Sequence, residues 1–378
     1  MTHNYYVNQD CIHFSGYSPC RAHKTGAAHC CECSEYAVAD LRICILKVGQ
    51  AGEVLRCTPL LRRLREVFPR SEITWITSFP DFVPKTAVDR VLTYSWTTSL
   101  RLQAESFDLL LNLDKDFDVC ALAKLIPAKE KRGFGLNRLG KVAPLNPEAE
   151  HKWLTGIWDD VMRANTKNYV QEIFELCGFE WRGESYLLDG VVTSNERRGT
   201  APIVGLNTGA GDTWTTRIWP EAFWCELVSL LQRKRFDIIL LGGPLEDETN
   251  SDISRKTGAR YDGVVSYKEF FQLVATTDIM VTAVTMALHV AIALRRPVIL
   301  FNNIFSRHEF YLYENGEILE PGITCQGCYK KRFDAECITD NCMALIYPER
   351  VLAAVERFFL RGEHGQSHSI RRPDRPLR

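Results

Sequence analysis

The sequence predicts an α/β protein built from two doubly wound, Rossmann-like domains that face a common cleft. Three observations carry this expectation. Short apolar runs suited to buried strands alternate with helical patterns across residues 41–305. The alternation falls into two series, divided by the polar stretch Gly190–Ala201. One strand in each series opens into a glycine-bearing loop, Gly49-Gln-Ala-Gly52 and Thr208-Gly-Ala-Gly211, where folds of this class bind ligands.

In chain order, residues 1–36 are polar and rich in Cys and His, and read as an extended arm or small metal knuckle. The first domain, 37–190, begins with the strand Leu41–Val48, the tight turn after it and a helix over Val54–Val67. Strands follow at Glu72–Ser78, Phe107–Leu113 and Lys131–Leu136, with a helix at Asp118–Ile126. Pro144 and Pro147 then lead into helical segments at Trp153–Arg163 and Asn168–Cys177. The second domain, 191–360, takes strand Ile203–Leu206, helix Glu221–Lys234, strand Asp237–Leu241, helix Tyr267–Thr276, strand Ile279–Thr282, helix Thr285–Leu294 and strand Pro297–Phe301. A last helix runs over Pro348–Phe359, and the Arg-, Pro- and Gly-rich tail 361–378 reads as disordered.

Composition narrows the function. The 378 residues include 46 basic and 47 acidic side chains, so no general electrostatic case for nucleic acid exists. The start Met1-Thr-His-Asn-Tyr-Tyr-Val lacks the basic and apolar regions of a signal peptide. The longest apolar window, Ile279–Leu294, is too short to span a bilayer and contains His289. A cytoplasmic protein is expected, with the Arg-rich tail a weak candidate for peripheral contact with an anionic membrane surface.

The stretch Ile203–Pro220 carries the most chemistry. An apolar strand opens into a loop with Gly209 and Gly211, then Arg217, Trp219 and Pro220 precede a helix. Glycines let backbone approach a bulky anion, helix N-termini present free N–H groups, and Arg217 adds a formal charge. That combination suits a diphosphate, although an ordinary strand-to-helix loop has the same outline.

Four segments together resemble glycosyltransferase family 9, the ADP-heptose transferases. They are Ile45-Leu-Lys-Val-Gly-Gln-Ala-Gly-Glu53-Val-Leu-Arg-Cys-Thr-Pro-Leu-Leu, the Gly205–Pro220 stretch, Leu241-Gly-Gly-Pro-Leu-Glu246-Asp-Glu248 and Thr285-Met-Ala-Leu-His289-Val-Ala. The resemblance implies a GT-B fold, although the tandem architecture alone also fits periplasmic-type binding proteins and some epimerases. It implies transfer of heptose or a related sugar, with inversion, from an ADP-sugar to a hydroxyl of a lipopolysaccharide core, another surface glycolipid or a protein.

Under this resemblance Glu53 is the general base, standing where the family normally has Asp, one methylene shorter. Thr208, Gly209, Gly211 and Arg217 meet the diphosphate, and Gly242, Gly243 and Glu246 (or Glu248) meet adenosine. Thr285 and Met286 offer N–H groups at a helix start, while His289 is either a contact or a core histidine. Val284 stands where the family usually has Asp, and its side chain donates and accepts nothing. Asp114, at a strand's carboxyl end, is a candidate for facing the acceptor. No catalytic metal is expected. The alternative is a GT-B-fold nucleotide-sugar-binding or scaffold protein with impaired turnover.

Fourteen cysteines are unusual without a secretion signal, and nine cluster. Cys325-x2-Cys328-x8-Cys337-x4-Cys342 is a four-thiolate pattern suited to structural zinc or iron, similar to the iron finger of autotransporter heptosyltransferases within the family. Cys11, Cys20, Cys30 and Cys33 form a second candidate set, with Cys31, His13, His23 and His29 as alternatives. Four thiolates leave no open coordination position, so both sites read as structural. The two clusters sharing one site is a further reading, and oligomerisation remains open.

Overall fold

A computed structural model describes residues 6–191 and 201–364. Most of the polar junction at Gly190–Ala201, and the tail from 365, fall outside these residues. Among the described residues no helix is long and apolar enough to cross a membrane.

The first sheet comprises β1 (Leu41–Leu46), β2 (Ser71–Thr77), β3 (Arg90–Thr93), β4 (Phe107–Asn112), β5 (Ala128–Leu136) and β6 (Val142–Pro144). Its order is β3-β2-β1-β4-β5-β6, parallel except for the β5–β6 hairpin. The second sheet comprises β7 (Ile203–Asn207), β8 (Asp237–Leu241), β9 (Arg260–Tyr261), β10 (Ile279–Ala283), β11 (Val298–Phe301) and β12 (Gly316–Leu319), all parallel. Its order is β12-β11-β10-β7-β8-β9. Counted within its own series, each sheet therefore runs 3-2-1-4-5-6, the Rossmann order. The winding of the chain across the sheet reverses between β1 and β4, and again between β7 and β10. Ligands bind at such switch points because loops diverge there and leave a crevice.

Central strands are buried on both faces: adjacent residues Ile43, Cys44, Ile45 and Leu46, Leu109, Leu110 and Leu111, and Met280 and Val281 are essentially inaccessible. This explains why they read as continuous apolar runs rather than alternating ones. The helix expected over Val54–Val67 is two helices, Ala51–Cys57 and Pro59–Val67. Pro59 lacks an N–H and its ring crowds the preceding turn, so it begins a new helix at its first position.

One contact between the two domains is especially close. A methyl group added at Gly52 would lie 2.7 Å from His289 Cδ2 and 3.5 Å from Met286 Cα. The helix Ala51–Cys57 of the first domain thus packs against Met286–Ala293 of the second, and only glycine permits that approach.

Candidate active site

Four loops meet at the crevice, one after each switch-point strand. On the first-domain side, Lys47 leaves the end of β1 and is 2% exposed. Its ammonium donates to Glu53 Oε2 at 2.6 Å and to Asp114 Oδ1. Asp114 Oδ2 accepts the Val48 N–H and, at 3.3 Å, the Gly49 N–H. Asp114 is 4% exposed, so it lies beneath the crevice floor and ties β4 to the β1 loop, instead of facing an acceptor.

Sequence reading missed Lys47. Its signal was a charge directly following the apolar run Ile43–Leu46 at the strand's carboxyl end, which demands a buried partner.

Glu53 stands in the first turn of its helix with 43% of its side chain exposed. Burial pushes its carboxyl up, but Lys47, then Arg56 and Lys152, outweigh that and hold it below the usual range. Burial alone would lower the Lys47 ammonium. Tyr169, Glu53 and Asp114 reverse this and keep it protonated. The result is an ionised carboxylate with a fixed rear contact and an open front.

Removing the Lys47 ammonium takes from the buried Asp114 its one ion-pair partner among the described residues. Lys47→Met is therefore expected to destabilise the fold by about 3–5 kcal/mol, measurable by denaturant unfolding.

On the second-domain side, Asn207 Nδ2 lies 3.3 Å from Gly209 O, 3.2 Å from Thr282 Oγ1 and 3.3 Å from Thr285 Oγ1, tying the β7 and β10 loops. Thr208 Oγ1 donates to Asn250 Oδ1 at 2.6 Å. Glu246 lies across Gly209, where an added methyl would meet its Cγ at 2.7 Å, and accepts the Gly243 N–H at 2.8 Å. Gly211 adopts φ +71°, a left-handed conformation that favours glycine. Thr285 precedes the helix Met286–Ala293 and makes no side-chain cap, so the first-turn N–H groups keep their anion-binding character.

Arg217 spans the loops. It donates to the carbonyls of Ala210, at 2.6 Å, and Val284. Its guanidinium lies 5.7 Å from the Phe305 ring centre and 6.0 Å from that of Trp214. Burial pushes it down to about 10, and no carboxylate lies within ion-pair distance among the described residues. Such a cation is charged at neutral pH and only partly compensated. The Val284 side chain is itself buried, at 9% exposure.

His289 is not presented to open space. It is 5% exposed, stacked on Tyr186 at 6.1 Å, and its buried Nδ1 has no hydrogen-bond partner. Burial, with Arg56 nearby, holds the imidazole well below its usual range and therefore neutral.

Cys325, Cys328, Cys337 and Cys342 line one narrow space beside Thr216 and Asn303. Asn303 Nδ2 donates to Cys342 Sγ at 3.1 Å and to Thr216 O at 2.7 Å. Thr216 Oγ1 donates to Lys330 O at 2.7 Å, so the cysteine finger braces the loop that carries Arg217. Among the described residues, however, no group of three or more His, Cys, Asp or Glu is drawn together as a ligand set. This holds for Cys11, Cys20, Cys30 and Cys33 also. Their arm buries only Ala22, and its thiols are all at least partly accessible.

The sequence model of glycosyltransferase family 9 (heptosyltransferase) matches residues 96–309. The chain belongs to this family. The matched span contains the second-domain site but begins after Glu53, whose place rests on the geometry above. Among curated proteins, the lipopolysaccharide core heptosyltransferase OpsX of Haemophilus influenzae is 28% identical over 113 residues. That alignment covers 27% of this chain and about a third of the relative, 33%.

The fold resembles E. coli heptosyltransferase WaaC with ADP at a TM-score of 0.63, with 17% identity over 84% of this chain and 100% of that one. The iron-containing dodecameric glycosyltransferase TibC from enterotoxigenic E. coli gives 0.55 and 12%, over 86% and 77%. These likenesses establish the GT-B fold of this family 9 member.

Proposed function

We propose that the protein transfers heptose, or a related sugar, from an ADP-sugar to a hydroxyl of a lipopolysaccharide core or another cell-surface acceptor, with inversion. The observation that carries this reading is the ionised Glu53 carboxylate, fixed by Lys47 and set across the crevice from the Arg217 loop. TibC has also been solved in complex with ADP-D-β-D-heptose.

In this mechanism Glu53 takes the proton of the acceptor hydroxyl as its oxygen bonds to the anomeric carbon. The bond from that carbon to the diphosphate breaks, and ADP leaves with the electron pair. Arg217 and the Met286 helix N-terminus meet the charge that develops on the leaving oxygen. Thr208, Gly209 and Gly211 line the diphosphate, and Gly242, Gly243 and Glu246 take the adenosine. The reaction runs in the cytoplasm, on a glycolipid or protein acceptor. ADP release from ADP-heptose in the presence of lipopolysaccharide core acceptor tests it, and no release above background rejects it.

A second reading, a nucleotide-sugar-binding protein with impaired turnover, draws on Val284. The carboxylate expected there is replaced by a buried apolar side chain, and its carbonyl is engaged by Arg217. Binding of ADP without turnover would favour it.

We further infer that Cys325, Cys328, Cys337 and Cys342 hold a structural zinc or iron ion, because all four donors are thiols facing one space. When bound, the ion would supply only a cross-link between the turns of the finger. Elemental analysis is expected to give one metal per chain, reduced in Cys328→Ser. A metal-free protein that is fully folded refutes the inference.

A further inference from the structure

The helix that carries Glu53 is gripped from the other domain, and the grip reaches back to the cysteine finger. Arg56 follows Glu53 by three residues, hence on the same side of the helix Ala51–Cys57. Its buried guanidinium lies 3.8 Å from the centre of the Tyr169 ring. It donates to Glu309 O at 3.1 Å and approaches Glu309 Oε1 at 3.4 Å. Among the described residues Glu309 is its one carboxylate partner.

Glu309 closes the short turn Arg307–Glu309 after β11, in the second domain. Its other oxygen, Oε2, accepts from the Tyr329 hydroxyl at 3.2 Å. That hydroxyl also accepts the Ser306 N–H at 3.0 Å. Tyr329 follows Cys328 directly, at φ +55°, and its own N–H donates to Ile304 O at 2.8 Å. Each partner thus has its polar capacity divided between neighbours, which leaves little freedom to drift.

We propose that Tyr329, Glu309 and Arg56 form an interdomain latch of positioning residues, through which the folded cysteine finger fixes the stance of the Glu53 helix. This rests on the reading of Glu53 as acceptor base. Displacement of a catalytic group by about 1 Å costs on the order of 100-fold in rate, so a latch on this helix acts on turnover. The Tyr329 hydroxyl bonds Glu309 and the Ser306 N–H, neither of them in the adenosine or diphosphate loops, so removing that hydroxyl alone spares ADP affinity, whereas the finger as a whole also braces the Arg217 loop through Thr216.

The test uses full-length Tyr329→Phe, Cys328→Ser and the double variant, with amide hydrogen exchange and steady-state kinetics on the same samples. Exchange across residues 51–57 is expected to rise about tenfold in each single variant and no further in the double, since coupled sites are non-additive. In Tyr329→Phe, kcat is expected to fall about tenfold with ADP affinity changed less than about twofold. Unchanged exchange over 51–57 in Tyr329→Phe overturns the latch. So does additive behaviour, or equal acceleration in β1 and β7, which marks general loosening. Exchange is read without substrate, so the latch and the proposed transfer reaction fail separately.

Discussion

Glu53→Gln is expected to lower the rate of sugar transfer by about two to four orders of magnitude while leaving ADP affinity unchanged. The amide keeps the size and the contact with Lys47 but cannot take a proton. Glu53 stands on the first domain, away from the loops assigned to the nucleotide, so loss of its charge acts on the acceptor step alone. Its carboxyl is held below the usual range by Lys47, Arg56 and Lys152, against burial. The base form is therefore already populated at neutral pH, and the limb that Glu53 gives the wild-type kcat profile lies on the acid side, as pH drops through that lowered pKa. In Glu53→Gln this acid limb disappears. Single-turnover rates across pH read both effects. A variant within a few-fold of wild type would remove Glu53 from the mechanism.

Arg217→Met is expected to lower kcat/KM by about two to three orders of magnitude and to weaken ADP binding as well. The guanidinium is desolvated, pushed down to about 10 by burial, and held by backbone carbonyls in place of a carboxylate. An arriving diphosphate supplies the missing counter-charge, in a setting where little solvent screens it. Arg217→Lys is expected to recover only part of the loss, because one ammonium cannot reproduce the planar fork that reaches Ala210 and Val284. Full activity in Arg217→Met, with ADP affinity intact, would contradict this role.

Much of the fold was legible because parallel strands buried on both faces leave uninterrupted apolar runs. β8 matches its sequence-predicted span, Asp237–Leu241, residue for residue. The helix Tyr267–Thr276 is announced by Ser266 and Glu269, whose side chains close a capping box. β3 and the helix Trp96–Gln103 escaped notice. The strand has only four residues and the helix exposes Trp96 and Leu100, so neither has a clean periodicity. The helix Asp247–Thr257 escaped too, because it buries only Asn250 and Ile253.

The local geometry of the candidate site was legible where backbone chemistry dictates residue type, as at the left-handed Gly211 and the Thr285 helix start, while the ligand contacts assigned there belong to the proposed function. The geometry was less legible where side chains from distant segments converge. Asp114 looked like an exposed acid until Lys47 was seen above it, and the Arg56–Glu309 pair spans both domains. His289 shows the reverse: a polar residue at a promising helix position that the Gly52 contact seals off.

The account turns on a nucleotide diphosphate occupying the crevice between the two switch points. Calorimetric titration of the wild-type protein with ADP, in the presence of a chelator of divalent cations, tests this most directly. Saturable binding at one site per chain, weakened at least tenfold in Arg217→Met and unchanged in Glu53→Gln, is the predicted result. Absence of saturable binding, or affinity indifferent to Arg217, would contradict it.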